Sequence, residues 1–398
     1  MEHGLSPGPV SFDEPLNHMD IVEPLLQWAG AQGVQLEGIK PATLPGRGIG
    51  IVATRSVLEG DVIMVVPRGA IRSLHSLPKE ISEKLPPDMS IHGLLAVDVV
   101  LGQIPAPWRS ILPRFSEFEP SVPFFWPVEL QEFLPSPARR LLAKQQANIN
   151  QLWEMLGSFP AITDRREFVH AWFVINTRTF YYSSPETQLY PWEDRLALLP
   201  VADLFNHAQA GCPVSFTSEC YSVTADRPYE AGEEVYISYG DHSNDFLLAE
   251  YGFILSENRW DKACLDDVIL PKLSQKQTEV LERRDLLGGY MVQRKTDDYG
   301  PCDRAKAALR VLCSSSAGDD DEWQSALDRI GDEPTAARDY GDIEAIEIEE
   351  FKGLVRELRK ECENKVAALE QIHAGMESQR SVLMLRWKQI ASILEQCL

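Results

Sequence analysis

Residues 196–208 read LALLPVADLFNHA, an apolar run that ends in two adjacent polar side chains, Asn206 and His207. A buried segment avoids such a pair unless both have partners, because each unmet donor or acceptor costs on the order of 1–3 kcal/mol. Two ordinary explanations are available: an Asx-type turn for Asn206, and a core histidine satisfied by a backbone carbonyl. A metal site would need further ligands at compatible spacing, and His242 is the one other histidine nearby in sequence, so zinc is not expected.

Two more stretches carry unusual chemistry. Upstream, PGRGIGIVA (45–53) brings three glycines against a β-rich run, where a ligand could approach the backbone. It is not a dinucleotide fingerprint, since the third glycine is misplaced and no helix follows; an ordinary glycine turn is the competing reading. Downstream, EEVYISYGDHSNDFLLAEYGFI (233–254) puts Tyr239 at the end of a strand and Tyr251 after a short turn and helix. Val235, Ile237 and Tyr239 alternate on one strand face, so Tyr239 could equally be core.

The whole chain has 398 residues, enough for two or three domains with real apolar cores. No stretch approaches the roughly 18 uninterrupted apolar residues of a membrane span, and residues 1–19 lack the pattern of a signal peptide. A membrane partner is therefore not expected. The formal charge of −22 opposes tight binding to phosphate backbones, so nucleic acid is not expected either. Seven cysteines, odd in number and irregular in spacing, argue against a disulfide framework and for a reducing compartment, cytoplasmic or nuclear.

Along the chain, residues 1–19 read as a flexible leader and structure is expected from IVEPLLQWA onward. Strands are predicted at Ile49–Ala53 and Val62–Val66, a hairpin-like pair around Glu59, Gly60 and Asp61. The same turn-plus-strand grammar recurs at Tyr221–Ala225 and Glu234–Tyr239 around Ala231–Glu233. Between them, residues 73–190 turn helical, notably at Leu94–Leu101, PARRLLAKQQANINQLWEML and REFVHAWFVINTRTF. After about Ser256 two long helices carry apolar stripes, Phe351, Leu354, Val355, Leu358 and Cys362, then Leu383, Trp387, Ile390 and Leu394, which read as an internal core. The fold class is α+β: a small-sheet β domain in two parts (20–72 and 191–255), split by a helical insertion (73–190) and followed by an all-α domain (256–398).

Taken together, GRGIGIVATR, LPVADLFNHA, and GEEVYISYG followed by LLAEYGFI resemble the SET-domain methyltransferases. More narrowly, they are similar to the branch typified by the Rubisco large-subunit methyltransferase, with its helical insertion and helical C-terminal substrate-binding domain. The resemblance extends from about Ile21 over nearly all the chain. It implies S-adenosylmethionine as cofactor, bound by Arg47, Gly48, Ile49, Asn206, His207 and, ahead of the Asn-His pair, Arg178. For Arg178 the alternative is a helix-end cation offsetting the macrodipole. It implies Asp203 near the peptide substrate, Tyr239 as the catalytic tyrosine, and Tyr251 shaping a lysine channel, with no metal. The expected activity is protein-lysine N-methylation by a monomer acting on a protein substrate. Protein-histidine methylation by the same fold, and a SET-fold scaffold without turnover, are the alternatives.

Overall fold

The computed structural model describes residues 18–157, 159–295, 298–314, 323, 327 and 341–398. The expected leader, apart from His18 and Met19, and nearly all of the acidic loop SSSAGDDDEW lie outside the described residues. The chain folds as two compact units, one of Met1–Pro113 with Met155–Tyr239 and one of Arg114–Glu154 with Gly240–Leu398. They part within the helical insertion, whose middle, residues 114–154, packs with the chain after residue 240.

The first unit is built on two four-stranded sheets. One has the order β1 (Gln35–Leu36), β4 (Val62–Pro67), β9 (Cys220–Thr224), β8 (Val214–Phe216); the other has β2 (Ile39–Leu44), β3 (Gly48–Ala53), β10 (Glu234–Ile237), β7 (Asn206–Cys212). The strands predicted around residues 49–53 and 62–66 exist, but they are not a hairpin. β3 is antiparallel to β10, pairing Val52 with Glu234, whereas β4 is antiparallel to β9, pairing Val62 with Thr224. Between these pairs Val57 bridges Tyr229.

The reason lies in the turns. Residues 54–61 are too long for a tight hairpin loop, and their backbone groups bond instead to residues 225–233. Gly60 N donates to Ala225 O (2.9 Å) and Ala225 N to Asp61 O (2.8 Å). In the same way, Gly232 N donates to Ala53 O (2.8 Å) and Ala53 N to Glu233 O (2.8 Å). Both glycines have positive φ, +86° and +92°, which L side chains rarely adopt. The two turn-plus-strand segments are thus reciprocal partners, each passing from one sheet to the other at its glycine.

Two insertion helices complete this unit. Ile91–Val100 starts at Ser90, whose hydroxyl accepts from Gly93 N, and Arg165–Arg178 starts at Asp164, whose carboxylate accepts from Arg166 N and Glu167 N. Each presents a nearly continuous buried face, Leu94 to Asp98 on the first and Ala171 to Ile175 on the second. The second helix ends at Arg178 and feeds the short ribbon β5 (Thr179–Tyr181) and β6 (Leu196–Leu198), which leads into the Asn206 segment.

In the second unit, helices Gly341–Gln371 and Glu377–Glu395 bury both predicted stripes in one core, including Leu354, Val355, Leu358, Leu383, Trp387 and Leu394. One element departs from the all-α expectation: a three-stranded sheet of β11 (Lys262–Cys264), β12 (Met291–Arg294) and β13 (Tyr299–Pro301). Strands of three or four residues are too short for period-two alternation to be read against a helical background. No described helix is long and apolar enough to cross a membrane.

The second unit also buries an ion cluster. Arg386, 0% exposed, donates to Asp245 Oδ1 (2.7 Å), Asp261 Oδ2 (2.6 Å) and the Lys262 carbonyl (3.1 Å). Asp261 Oδ1 in turn accepts from Asn244 N (3.0 Å) at the start of helix Asn244–Tyr251. Burial pushes the Asp245 carboxyl up, and the Arg386 charge opposes that. Removing the cation leaves two buried carboxylates facing each other, a change that typically costs 3–5 kcal/mol. Arg386→Met is accordingly expected to lower unfolding stability by roughly that amount in chemical denaturation at pH 7. A loss below about 1 kcal/mol would show the cluster to be solvated.

Candidate active site

The site in the first unit begins with a strained turn. Val201 has φ 70° and ψ −35°, a genuine outlier for a β-branched residue, and is fully buried. It starts the 3-10 turn Ala202–Leu204, which folds Asp203 inward and delivers Asn206 to the first position of β7. Backbone strain of this kind, of order 1–3 kcal/mol, survives where the surroundings over-determine it.

Asp203 is only 4% exposed. Its Oδ2 accepts from the Trp108 indole N–H (2.9 Å), and its carbonyl accepts from Arg178 Nη1 (2.6 Å). The carboxyl is pushed up to about 6, first by burial, with the Trp108 donor and the Arg178 charge opposing. Asp203 Oδ1 and Arg178 Nε are both buried and make no hydrogen bond. Buried polar atoms of this sort call for an explanation, and an unfilled ligand position is one. The carboxylate expected near a peptide substrate is thus turned into the protein, toward Trp108.

Tyr239 lies two residues past β10 and is tied to both flanks of Asn206. Its hydroxyl donates to the Phe205 carbonyl (2.7 Å), and its backbone N–H donates to His207 Nδ1 (3.0 Å). An imidazole Nδ1 that accepts belongs to the neutral ring protonated at Nε2. The two rings lie 5.0 Å apart. Burial raises the phenol above its ordinary value, so Tyr239 stays protonated and acts as a donor rather than a base.

Arg47, Gly48 and Ile49 sit where the β2–β3 turn enters β3. Gly48 has φ +71° and faces open space where a side chain would begin. The Arg47 guanidinium reaches Glu234 Oε2 (2.7 Å) and the Tyr236 hydroxyl (2.8 Å), and Asn206 Nδ2 donates to Glu234 Oε1 (2.8 Å). Seven of the nine residues expected at the site, Arg47, Gly48, Ile49, Asp203, Asn206, His207 and Tyr239, therefore lie on or directly beside one sheet, with Arg178, the eighth, joined to Asp203. Tyr251, the ninth, belongs to the second unit, as the last residue of helix Asn244–Tyr251, where its ring lies 6.4 Å from Phe246 and 6.1 Å from Phe253. Sequence reasoning missed Trp108, in a proline-rich connector, and Glu234 with Tyr236. The signal for the last two was the alternation that sets them on the face opposite Val235 and Ile237.

Among the described residues no group of three or more His, Cys, Asp or Glu could hold a metal ion. The donors and acceptors present suit an organic ligand carrying both charges: a guanidinium N–H for a carboxylate, and carboxylate and amide oxygens for an ammonium or hydroxyl.

The buried carboxyl makes a pH prediction. Because folding raises the Asp203 pKa, the folded state holds its proton more tightly, so stability falls as pH rises from about 3.8 through about 6 and is flat above. Asp203→Asn lacks this loss. Its stability relative to the parent is expected to improve by up to roughly 3 kcal/mol between pH 4 and pH 7 in denaturant titrations. A difference that does not change with pH would mean that Asp203 is solvated.

Comparison with known proteins agrees with this geometry. Residues 48–240 match the SET domain family. Ribosomal lysine N-methyltransferase set11 of Schizosaccharomyces pombe is 24% identical over 360 residues, covering 87% of this chain and 91% of that protein. SET domain-containing protein 4 of Mus musculus is 26% identical, covering 73% and 72%. Actin-histidine N-methyltransferase of Canis lupus familiaris is 24% identical, covering 83% and 59%. Among solved structures, the SET domain of LSMT bound to methyl-lysine and AdoHcy matches with TM-score 0.64 at 18% identity, covering 94% of this chain and 91% of that one. Rubisco LSMT bound to AdoMet matches with TM-score 0.62 at 18% identity. The part of the chain that carries this site, residues 48–240, is the part that matches the SET domain family.

Proposed function

We propose that this chain is an S-adenosylmethionine-dependent protein methyltransferase that acts on a lysine side chain. The observation that carries the reading is Tyr239: a half-buried, neutral phenol fixed by its hydroxyl to Phe205 and by its backbone to His207, on either side of Asn206. Arg47, Gly48, Ile49, Arg178, Asn206 and His207 would hold the cofactor, which supplies an electrophilic methyl group on a sulfonium. The unsatisfied Arg178 Nε and Asp203 Oδ1 fit a ligand bearing an amino-acid moiety.

The protein's task is to bring a neutral amine into line. A free lysine has a pKa of about 10.4, and holding it neutral at pH 7 costs roughly 4–5 kcal/mol. A dry, aromatic approach lowers that cost by disfavouring the ammonium form, and a neighbouring cation lowers it further. The Tyr239 hydroxyl orients the acceptor, and because it remains protonated no side-chain general base is assigned. Asp203 works from behind, holding Trp108 by its side chain and Arg178 by its carbonyl. Tyr251 would form the channel wall, where a tyrosine face favours a cation in transit.

Histidine is the second reading, since actin-histidine N-methyltransferase is among the similar proteins. Odd, irregular cysteines support a reducing compartment, cytoplasm or nucleus, and the −22 charge opposes a nucleic-acid partner.

Tyr239→Phe is expected to lower methyl transfer from labelled cofactor about 100-fold while calorimetric affinity for S-adenosylmethionine stays within a few-fold. Unchanged turnover would refute the role of Tyr239. Cofactor binding by the parent without transfer to any protein would point to a scaffold. Acid hydrolysis of labelled product, yielding methyl-histidine alone, would replace lysine with histidine.

A further inference from the structure

The Glu234 carboxylate is 8% exposed and has three partners drawn from three segments. Oε2 accepts from Arg47 Nη1 (2.7 Å) and from the Tyr236 hydroxyl (2.7 Å), and Oε1 accepts from Asn206 Nδ2 (2.8 Å). The last contact fixes a choice that an amide otherwise leaves open. An ionised carboxylate can only accept, so the Asn206 end that faces it must be the NH2. Asn206 Oδ1 is thereby turned away from Glu234, and among the described residues no donor is recorded on it. Gly50 makes room for the contact: a Cβ there would stand 2.8 Å from Asn206 Nδ2 and 3.0 Å from Glu234 Oε1.

We propose that Glu234 is a positioning residue that sets the Asn206 amide so that Oδ1 is presented as an acceptor for the cofactor's α-ammonium group. The inference rests on the reading of Asn206 as a cofactor ligand. Without Glu234 the amide is free to turn over, and it then offers a donor to a cation. Arg47, whose side chain is 54% exposed, neutralises Glu234 and joins the glycine turn to the same carboxylate, but it does not touch Asn206 Oδ1. The effect is therefore specific to the ammonium end of the ligand, whereas a merely structural role would weaken every part of the ligand alike.

The test is calorimetric binding of S-adenosylhomocysteine and of its analogue lacking the α-amino group to the full chain. The parent is expected to prefer the amino-bearing ligand. Glu234→Leu is expected to weaken that ligand roughly tenfold and leave the deamino analogue unchanged, so that the preference collapses. Glu234→Gln, which keeps an acceptor for the Asn206 NH2, is expected to retain the preference. Asn206→Leu should abolish it, and adding Glu234→Leu to that variant should change it no further. If Glu234→Leu fails to fold, Glu234→Ala, which likewise removes the acceptor facing Asn206 Nδ2, takes its place with the same expected collapse of the preference. Equal weakening of both ligands, or an undiminished preference in Glu234→Leu, overturns the positioning role alone. A parent chain that binds neither ligand overturns the cofactor reading and this inference with it.

Discussion

The first unit depends on one antiparallel register, which runs without a slip from the Ile51–Val235 pair through the Val57–Tyr229 bridge to Val62 and Thr224. Segments more than 150 positions apart in sequence are zipped into a ribbon that belongs to one sheet at one end and to the other sheet at the other end. Everything chemical follows from it. β3 brings the glycine turn beside β10, β10 brings Glu234 and Tyr236 beside β7, and the residues after β10 bring Tyr239 over Asn206 and His207. The pairing is as non-local as any in the chain, so the loop-closure cost of the whole helical insertion must be met before the site exists.

Within that frame the site is held by polar contacts in a buried setting rather than by apolar packing alone. Val201 is bent into a disfavoured conformation, Asp203 keeps its carboxyl under the surface against its electrostatic preference, and Arg178 and Asp203 each leave a buried atom without a partner. A sequence selected only for stability would replace such groups with well-packed apolar residues, which are often no worse and sometimes better. Strain and unmet polarity that gather within a few residues of one another are better explained by what the site must hold.

Much of this was legible in the sequence. The glycine turn, the Asn-His pair and the Tyr-Gly strand end were each ambiguous alone, and it was their order along the chain that carried meaning. The helices of the insertion and of the C-terminal region followed from their apolar spacing, as from Leu354 to Leu358. What could not be read was pairing across distance. The two turn-plus-strand segments look like local hairpins because their residues suit turns, and nothing local says that their partners lie on the far side of an insertion. Trp108 was invisible for the same reason: an indole in a proline-rich connector acquires its role only when the fold sets Asp203 against it. The short strands around residues 262–301 fell below the length at which any period can be recognised.

The Arg386 cluster has a consequence for the order in which the chain can become structured. Arg386 is made 141 residues after Asp245, the aspartate at the head of the helix that carries Tyr251. During synthesis Asp245, in that helix, and Asp261, beyond its end, emerge before the Arg386 guanidinium that bonds them both exists. The buried ion cluster at the head of the segment carrying Tyr251 is complete only when helix Glu377–Glu395 has been added. A nascent chain that already holds the complete Asn206–Tyr239 half is in this sense still unfinished chemistry, and the last helix acts as a timer on it.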